Sequence, residues 1–176
     1  MPMKKIAPNN SKAVQQTAKK TAKQLKLSLA VQYAIDDDHL VRSRLRRWVQ
    51  KTLNLAAPES VSTAQITLRL VDLTESQQLN GTYRAKDKPT NVLTFAYNDP
   101  TTPDNLTADI VICTPVLKKE AIEQGKTYLN HATHLVVHGT LHALGYDHIK
   151  TRDAEVMEAI ETEILATFSI ADPYST

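Results

Sequence analysis

Five histidines crowd the stretch 131–148 (HATHLVVHGTLHALGYDH), and three of them have the spacing of a metal site. At 3.6 residues per turn, His138 and His142 project from one helix face about a turn apart, so a single ion can sit between two imidazoles. A tetrahedral zinc needs a third protein ligand and a position open to water. His134 lies on the same face, but ligands at 134, 138 and 142 would spread along roughly 12 Å of helix, too far for one ion. Gly145 offers another route, because a glycine adopts the left-handed conformation that stops a helix and folds the chain back, returning His148 toward the other two. The predicted ligands of one Zn2+ are therefore His138, His142 and His148. His131 and His134 read as ordinary interior or surface histidines.

The resulting H-x-x-x-H-x-x-G-x-x-H pattern is the ligand spacing of the metzincin zinc proteases. Their general base is a glutamate directly after the first histidine. Here that position is Gly139, which cannot take a proton, so peptide hydrolysis loses its base while the Lewis-acid metal is retained. Hydrolysis of something other than a peptide is the better expectation. Zinc can lower the pKa of a water to about 7 without a carboxylate. Phosphodiester cleavage needs, in addition, positive charge on the non-bridging oxygens, and the planar, permanently charged fork of an arginine suits that task.

The elements that must position these groups can be read from periodicity. LSLAVQYA (27–34) alternates as a strand, Asp36–Asp38 supply a helix start, and residues 39–53 carry Leu40, Val41, Leu45, Trp48, Val49 and Leu53 on one helical stripe. QITLRLVD (65–72) is a second strand, and Thr74 to Gln77 has the form of a capping box opening a short helix to about Asn80. NVLTFAYN (91–98) and ADIVICTP (108–115) are two further strands, separated by a loop holding Pro100 and Pro103. Helices follow at 115–124, ending at Gly125, at about 127–144 before Gly145, and at 151–168. Strands early and helices late predict an α+β layer structure, with four strands and helices packed on them.

Length and composition bound the rest. A chain of 176 residues with 41% apolar and 23% charged residues is one ordinary globular domain. Residues 1–24 hold few large apolar side chains and read as a poorly ordered or loosely helical extension, leaving 25–176 as the single metal-dependent hydrolase domain. The lone Cys113 sits in an apolar run and reads as a core residue. No apolar run is long enough for a membrane span and no signal peptide is evident, so a cytoplasmic location is expected. Residues 1–51 carry 12 Lys and Arg against 3 Asp (+9), and the remainder carries 9 against 16 (−7). Clusters at Lys19, Lys20, Lys23 and Lys26 and at Arg42, Arg44, Arg46 and Arg47 suit either a polyanion such as RNA or a solvated helix face.

H-G-x-L-H-x-x-G-Y-D-H stands complete from His138 to His148, Y-R-x-K-D-x-P-T-x-V-L from Tyr83 to Leu93, and D-I-V-I-C from Asp109 to Cys113. On these motifs the chain closely resembles the YbeY-type bacterial endoribonucleases, the rRNA maturation factors, from about residue 27 to 173. Departures are mild: Thr94 and Ala96 stand where the family usually has Ser and Pro, and Ala108 where it usually has Gly. The resemblance implies a four-stranded mixed sheet with a metzincin-like zinc site on a central helix. It also implies a single-strand-specific, zinc-dependent endoribonuclease that matures the 3′ end of small-subunit rRNA and acts in ribosome quality control. Its expected partners are single-stranded RNA, rRNA and ribosomal particles. The family's invariant arginine falls on Arg84, which then serves as catalytic phosphate partner, with Lys86 as a candidate substrate contact. Asp147 either orients a ligand imidazole or caps the turn. Two alternatives stay open, a zinc metallopeptidase and a non-catalytic zinc-containing ribosome-assembly factor.

Overall fold

In the computed structural model, which describes residues 24–175, the alternation at Leu27, Leu29 and Val31 forms β1 (Lys26–Tyr33). The order continues α1 (Arg42–Ala56), β2 (Thr63–Val71), α2 (Leu73–Arg84), β3 (Val92–Tyr97), β4 (Asn105–Cys113), α3 (Thr114–Glu123), α4 (Tyr128–Ala143) and α5 (Thr151–Ala166). The expected extension over 1–24 lies, up to residue 23, outside the described residues.

The four strands form one sheet in the order β1-β2-β4-β3. β1, β2 and β4 run parallel, and β3 is antiparallel to β4. The arrangement is the mixed α+β sheet expected, with five helices among the described residues. Side chains alternate across each strand, so Ala108, Ile110 and Ile112 of β4 face α1 and α4, while Val111 and Cys113 face Leu79 of α2 and Val116 of α3. Cys113 is buried, as its surroundings in the sequence suggest.

α4 is covered on two sides. One flank, with Ala132, Leu135 and Val136, packs on the sheet, and another, with Val137 and Leu141, packs on Met157, Ile164 and Leu165 of α5. Each fully buried Leu or Val contributes about 1.5–3 kcal/mol, so α4 is held from both sides by apolar packing. No helix among the described residues is long and apolar enough to cross a membrane.

The arginine cluster of α1 has internal work. Arg42 donates to Leu29 O (2.7 Å), Arg46 to Leu27 O (3.0 Å) and Gln50 to Leu25 O (2.9 Å). One side chain per helical turn thus covers alternate carbonyls along the outer edge of β1, protecting an edge strand from foreign pairing. Arg44 donates to His39 O, and the Arg47 guanidinium lies 5.4 Å from the Phe168 ring centroid. The polyanion reading therefore loses these four residues as unengaged charges.

Two helix starts differ from expectation. Asp36–Asp38 do not open α1, whose N-cap is Val41. Asp37 instead accepts the His39 and Leu40 N–H groups (2.9 and 3.0 Å) and the Tyr128 hydroxyl, closing a turn before the helix. α2 starts two residues before the expected capping box, because Asp72 accepts the Glu75 N–H at 2.9 Å. It also runs past Asn80 to Arg84. Asn80 is a buried anchor and no helix stop: its amide donates to Lys88 O at 2.7 Å and ties the last turn to the following loop.

Candidate metal centre

Thr127 caps α4 by accepting the Asn130 N–H at 3.1 Å. At the other end Gly145 has φ +93, its N–H donates to His142 O (3.0 Å), and Tyr146 N–H donates to Leu141 O (3.1 Å). This paired 5→2 and 6→1 closure is a Schellman motif, which needs the left-handed residue that glycine supplies. The Tyr146 hydroxyl then donates to Ala56 O at 3.1 Å, anchoring the reversed chain to α1. His148 is brought back over His138 and His142 by this turn.

The three rings lie 4.6 Å (138–142), 4.9 Å (142–148) and 5.5 Å (138–148) apart between centroids. One nitrogen from each falls within 4.8 Å of the others, and the Nε2 atoms of His138 and His142 are 3.0 Å apart. Ligand nitrogens of a tetrahedral ion at about 2.0–2.1 Å would sit roughly 3.3 Å apart, so small side-chain adjustments suffice. His148 is exposed and the other two half-buried, which leaves the cluster accessible from one side. A cavity of about 250 Å³ lined by His138, His148, Met157, Glu158 and Tyr174 opens beside it.

Burial, and then the charges of His138 and His148, push His142 down to about 4 from its ordinary 6.5. Its imidazole is therefore neutral at pH 7, as a metal ligand must be. In the metal-free protein the unfolded chain takes up this proton near pH 6.5 while the folded chain resists to about 4, so His142 makes the protein lose stability as pH falls through that window. Urea midpoints between pH 7 and 4.5 should fall in the parent and fall less steeply in His142→Ala.

Behind the cluster stands Glu161 of α5, fully buried. Its Oε1 lies 2.5 Å from His138 Nδ1, and its Oε2 accepts the Tyr174 hydroxyl and lies 3.4 Å from His134 Nε2. Burial alone would raise its pKa, but hydrogen bonds from His134, His138 and Tyr174 outweigh that and hold it at about 2. His134, His138 and Glu161 also form a grouping compact enough for a metal. Both Glu161 oxygens are already taken by hydrogen bonds, however, which makes this group a support for His138. Local spacing in the sequence does not single out Glu161. The available signal was an acid on the apolar face of α5, spaced four from Met157 and three from Ile164, all buried.

Asp147 caps the turn: its Oδ1 accepts the His148 N–H at 2.7 Å, and no hydrogen bond joins it to an imidazole among the described residues. His131 is an interior residue, its Nε2 2.8 Å from Glu120 Oε2, as its spacing implied. His134 departs from the bystander role through its contacts with Glu161 and Tyr174.

Gly139 has a second reason to be glycine. A Cβ there would lie 2.9 Å from Ile110 Cγ2, 3.2 Å from Val92 Cγ2 and 3.3 Å from Thr94 Oγ1, and Thr94 donates to Gly139 O at 3.1 Å. Position 139 faces the sheet, so a glutamate base could not be placed there without separating α4 from β3 and β4. Gly139→Ala is expected to destabilise the fold by about 1–3 kcal/mol through overpacking, measured by urea unfolding.

Arg84 is the last residue of α2, and Lys86 follows Ala85, which is left-handed at φ 55. Both are exposed, and neither makes a side-chain hydrogen bond or ion pair among the described residues. Among the described residues no hydrogen bond or ion pair joins them to the histidines, and α2 packs on the sheet face opposite α4. The link runs through β3: the Tyr83 ring meets Phe95 at 4.8 Å, and the adjacent Thr94 reaches Gly139 through the other face.

A family model described as Endoribonuclease YbeY matches residues 30–169. The Endoribonuclease YbeY of Bordetella pertussis (strain Tohama I) is 56% identical over 152 residues, covering 84% of this chain and 96% of its own. That of Herminiimonas arsenicoxydans is 52% identical over 158 residues, covering 86% and 97%. Among solved structures, the solution structure of TM1509 from Thermotoga maritima superposes with a TM-score of 0.51 over 85% of this chain and 100% of that one, at 21% identity, a likeness in fold.

Proposed function

Since the chain belongs to the YbeY endoribonuclease family, we propose that it is a zinc-dependent endoribonuclease specific for single-stranded RNA, with His138, His142 and His148 as the ligands of one ion. The observation that carries this reading is the convergence of three imidazole nitrogens within 4.8 Å at the turn made by Gly145. An all-imidazole donor set suits zinc, as it suits other first-row divalent ions. When bound, such an ion supplies Lewis-acid charge and an acidified water at neutral pH.

The chain's own residues supply the rest. Arg84, whose side chain makes no hydrogen bond or ion pair among the described residues, offers its guanidinium to the phosphate oxygens as negative charge builds, and Lys86 adds a second exposed cation. Gly139 keeps the helix tight on the sheet and puts no carboxylate at the position directly after His138. Residues 25–176 form the hydrolase domain in this reading, with 1–24 as an extension. Its substrate is rRNA, including the 3′ end of the small-subunit precursor, its partners are ribosomal particles in the cytoplasm, and ribosome quality control follows from that placement.

The metallopeptidase alternative is not favoured, because position 139 has neither the base nor the room for it. The non-catalytic assembly factor is not favoured either, since the family is one of enzymes. Incubation with matched single-stranded and duplex RNA, before and after chelation, tests the proposal. Cleavage of the single strand alone, lost on chelation and regained with zinc, is the expected outcome, and equal cutting of both forms would contradict the strand preference.

A further inference from the structure

Three potential donors converge on one carboxylate behind the histidine cluster. Glu161 Oε1 lies 2.5 Å from His138 Nδ1, while Oε2 accepts from Tyr174 and lies 3.4 Å from His134. Tyr174 is held there by the C-terminal turn, in which Asp172 Oδ1 accepts both the Tyr174 N–H (2.9 Å) and the Thr162 hydroxyl (3.2 Å). Consecutive residues of α5, Glu161 and Thr162, thus carry the carboxylate and the clasp that lays the tyrosine on it.

An ionised carboxylate only accepts hydrogen bonds, so the ring nitrogen facing it must carry the hydrogen. The geometry makes His138 the Nδ1–H tautomer and leaves a lone pair on Nε2. That atom faces His142 Nε2, 3.0 Å away. We propose that Glu161 and Tyr174 are positioning residues of the metal centre, and that the C-terminal turn 172–175 belongs to that centre. Glu161 fixes the tautomer and ring angle of His138, and Tyr174 holds the carboxylate in place. The inference rests on the reading that His138, His142 and His148 hold the ion.

Glu161→Met removes the acceptor with little change in volume, and Tyr174→Phe removes one hydroxyl from a residue 41% exposed. Zinc affinity is measured by competition with a chromophoric chelator. The tautomer is read from ring 15N shifts of the metal-free protein. Glu161→Met is expected to bind zinc about 10–100-fold more weakly and to lose the Nδ1–H preference at His138 alone, with His142 and His148 unchanged. Tyr174→Phe is expected to keep the tautomer and lose several-fold in affinity.

A folded Glu161→Met protein with parent-like affinity and an unchanged His138 tautomer would overturn the proposal. If Glu161→Met does not fold, Tyr174→Phe decides, and parent-like affinity there overturns it. A parent that binds no zinc would refute the ligand assignment, while the tautomer, read without metal, would still decide the role of Glu161.

Discussion

His142→Ala is expected to remove bound metal and RNA cleavage together while leaving the protein folded. In the proposed centre His142 is the middle of the three ligands, on α4 between the His138 ring and the returning His148, with ring centroids 4.6 and 4.9 Å away. Two imidazoles alone, one of them exposed, make a poor site, and loss of one ligand in three should weaken zinc binding on the order of 10²–10³-fold. Cleavage should fall by about 10³-fold or more, because several kcal/mol of charge stabilisation go with the ion. The fold should survive, since α4 is held by Val136 against the sheet and by Val137 and Leu141 against α5, all buried and independent of the metal. Metal analysis, circular dichroism and cleavage on one preparation check this. An unfolded His142→Ala protein would instead point to a structural ion.

Arg84→Ala is expected to separate chemistry from metal binding. The side chain is exposed and makes no intramolecular hydrogen bond or ion pair among the described residues, so neither fold nor zinc content should change. If its guanidinium stabilises the charge developing on phosphate, kcat/KM should fall about 10²–10³-fold, the cost of losing one such donor. Arg84→Lys should recover only part of that, because an ammonium is a point charge and the guanidinium a planar fork. Undiminished cleavage by Arg84→Ala would remove it from the mechanism. Saturation kinetics on a single-stranded substrate, with metal content matched, separate these outcomes.

Much of the site was legible because it is local. The i, i+4 histidines, the glycine three beyond and the third histidine three further are all consequences of helix period and one left-handed residue, and each is where the spacing puts it. What lay beyond reach depends on which elements touch. Glu161 lies 23 residues after His138, and nothing local says that α5 runs beneath α4 or that the C-terminal turn brings Tyr174 to the same carboxylate. Asp147 drew attention by adjacency, yet an aspartate beside a turn most easily satisfies the nearest backbone N–H, that of His148.

Gly139 shows a different limit. The sequence reveals the missing base, but only the packing reveals that Ile110, Val92 and Thr94 leave no room for one. Charge was the least informative signal. Arg42 and Arg46 look like a polyanion face and instead cover the carbonyls of edge strand β1, a use that pairing topology alone discloses. Helix starts erred for a related reason. Asp37 and Asp72 both accept backbone N–H groups just after a strand, but only Asp72 caps a helix, while Asp37 closes a turn that ends before α1 begins.

Zinc stoichiometry and cleavage of single-stranded rRNA, measured on the same sample before chelation, after it and after zinc is returned, decide whether the three histidines form a catalytic metal centre. One tightly bound ion per chain is expected, with cutting that disappears and reappears with it. Full cutting by protein stripped of all metal, or a fully loaded protein that never cuts, would contradict that.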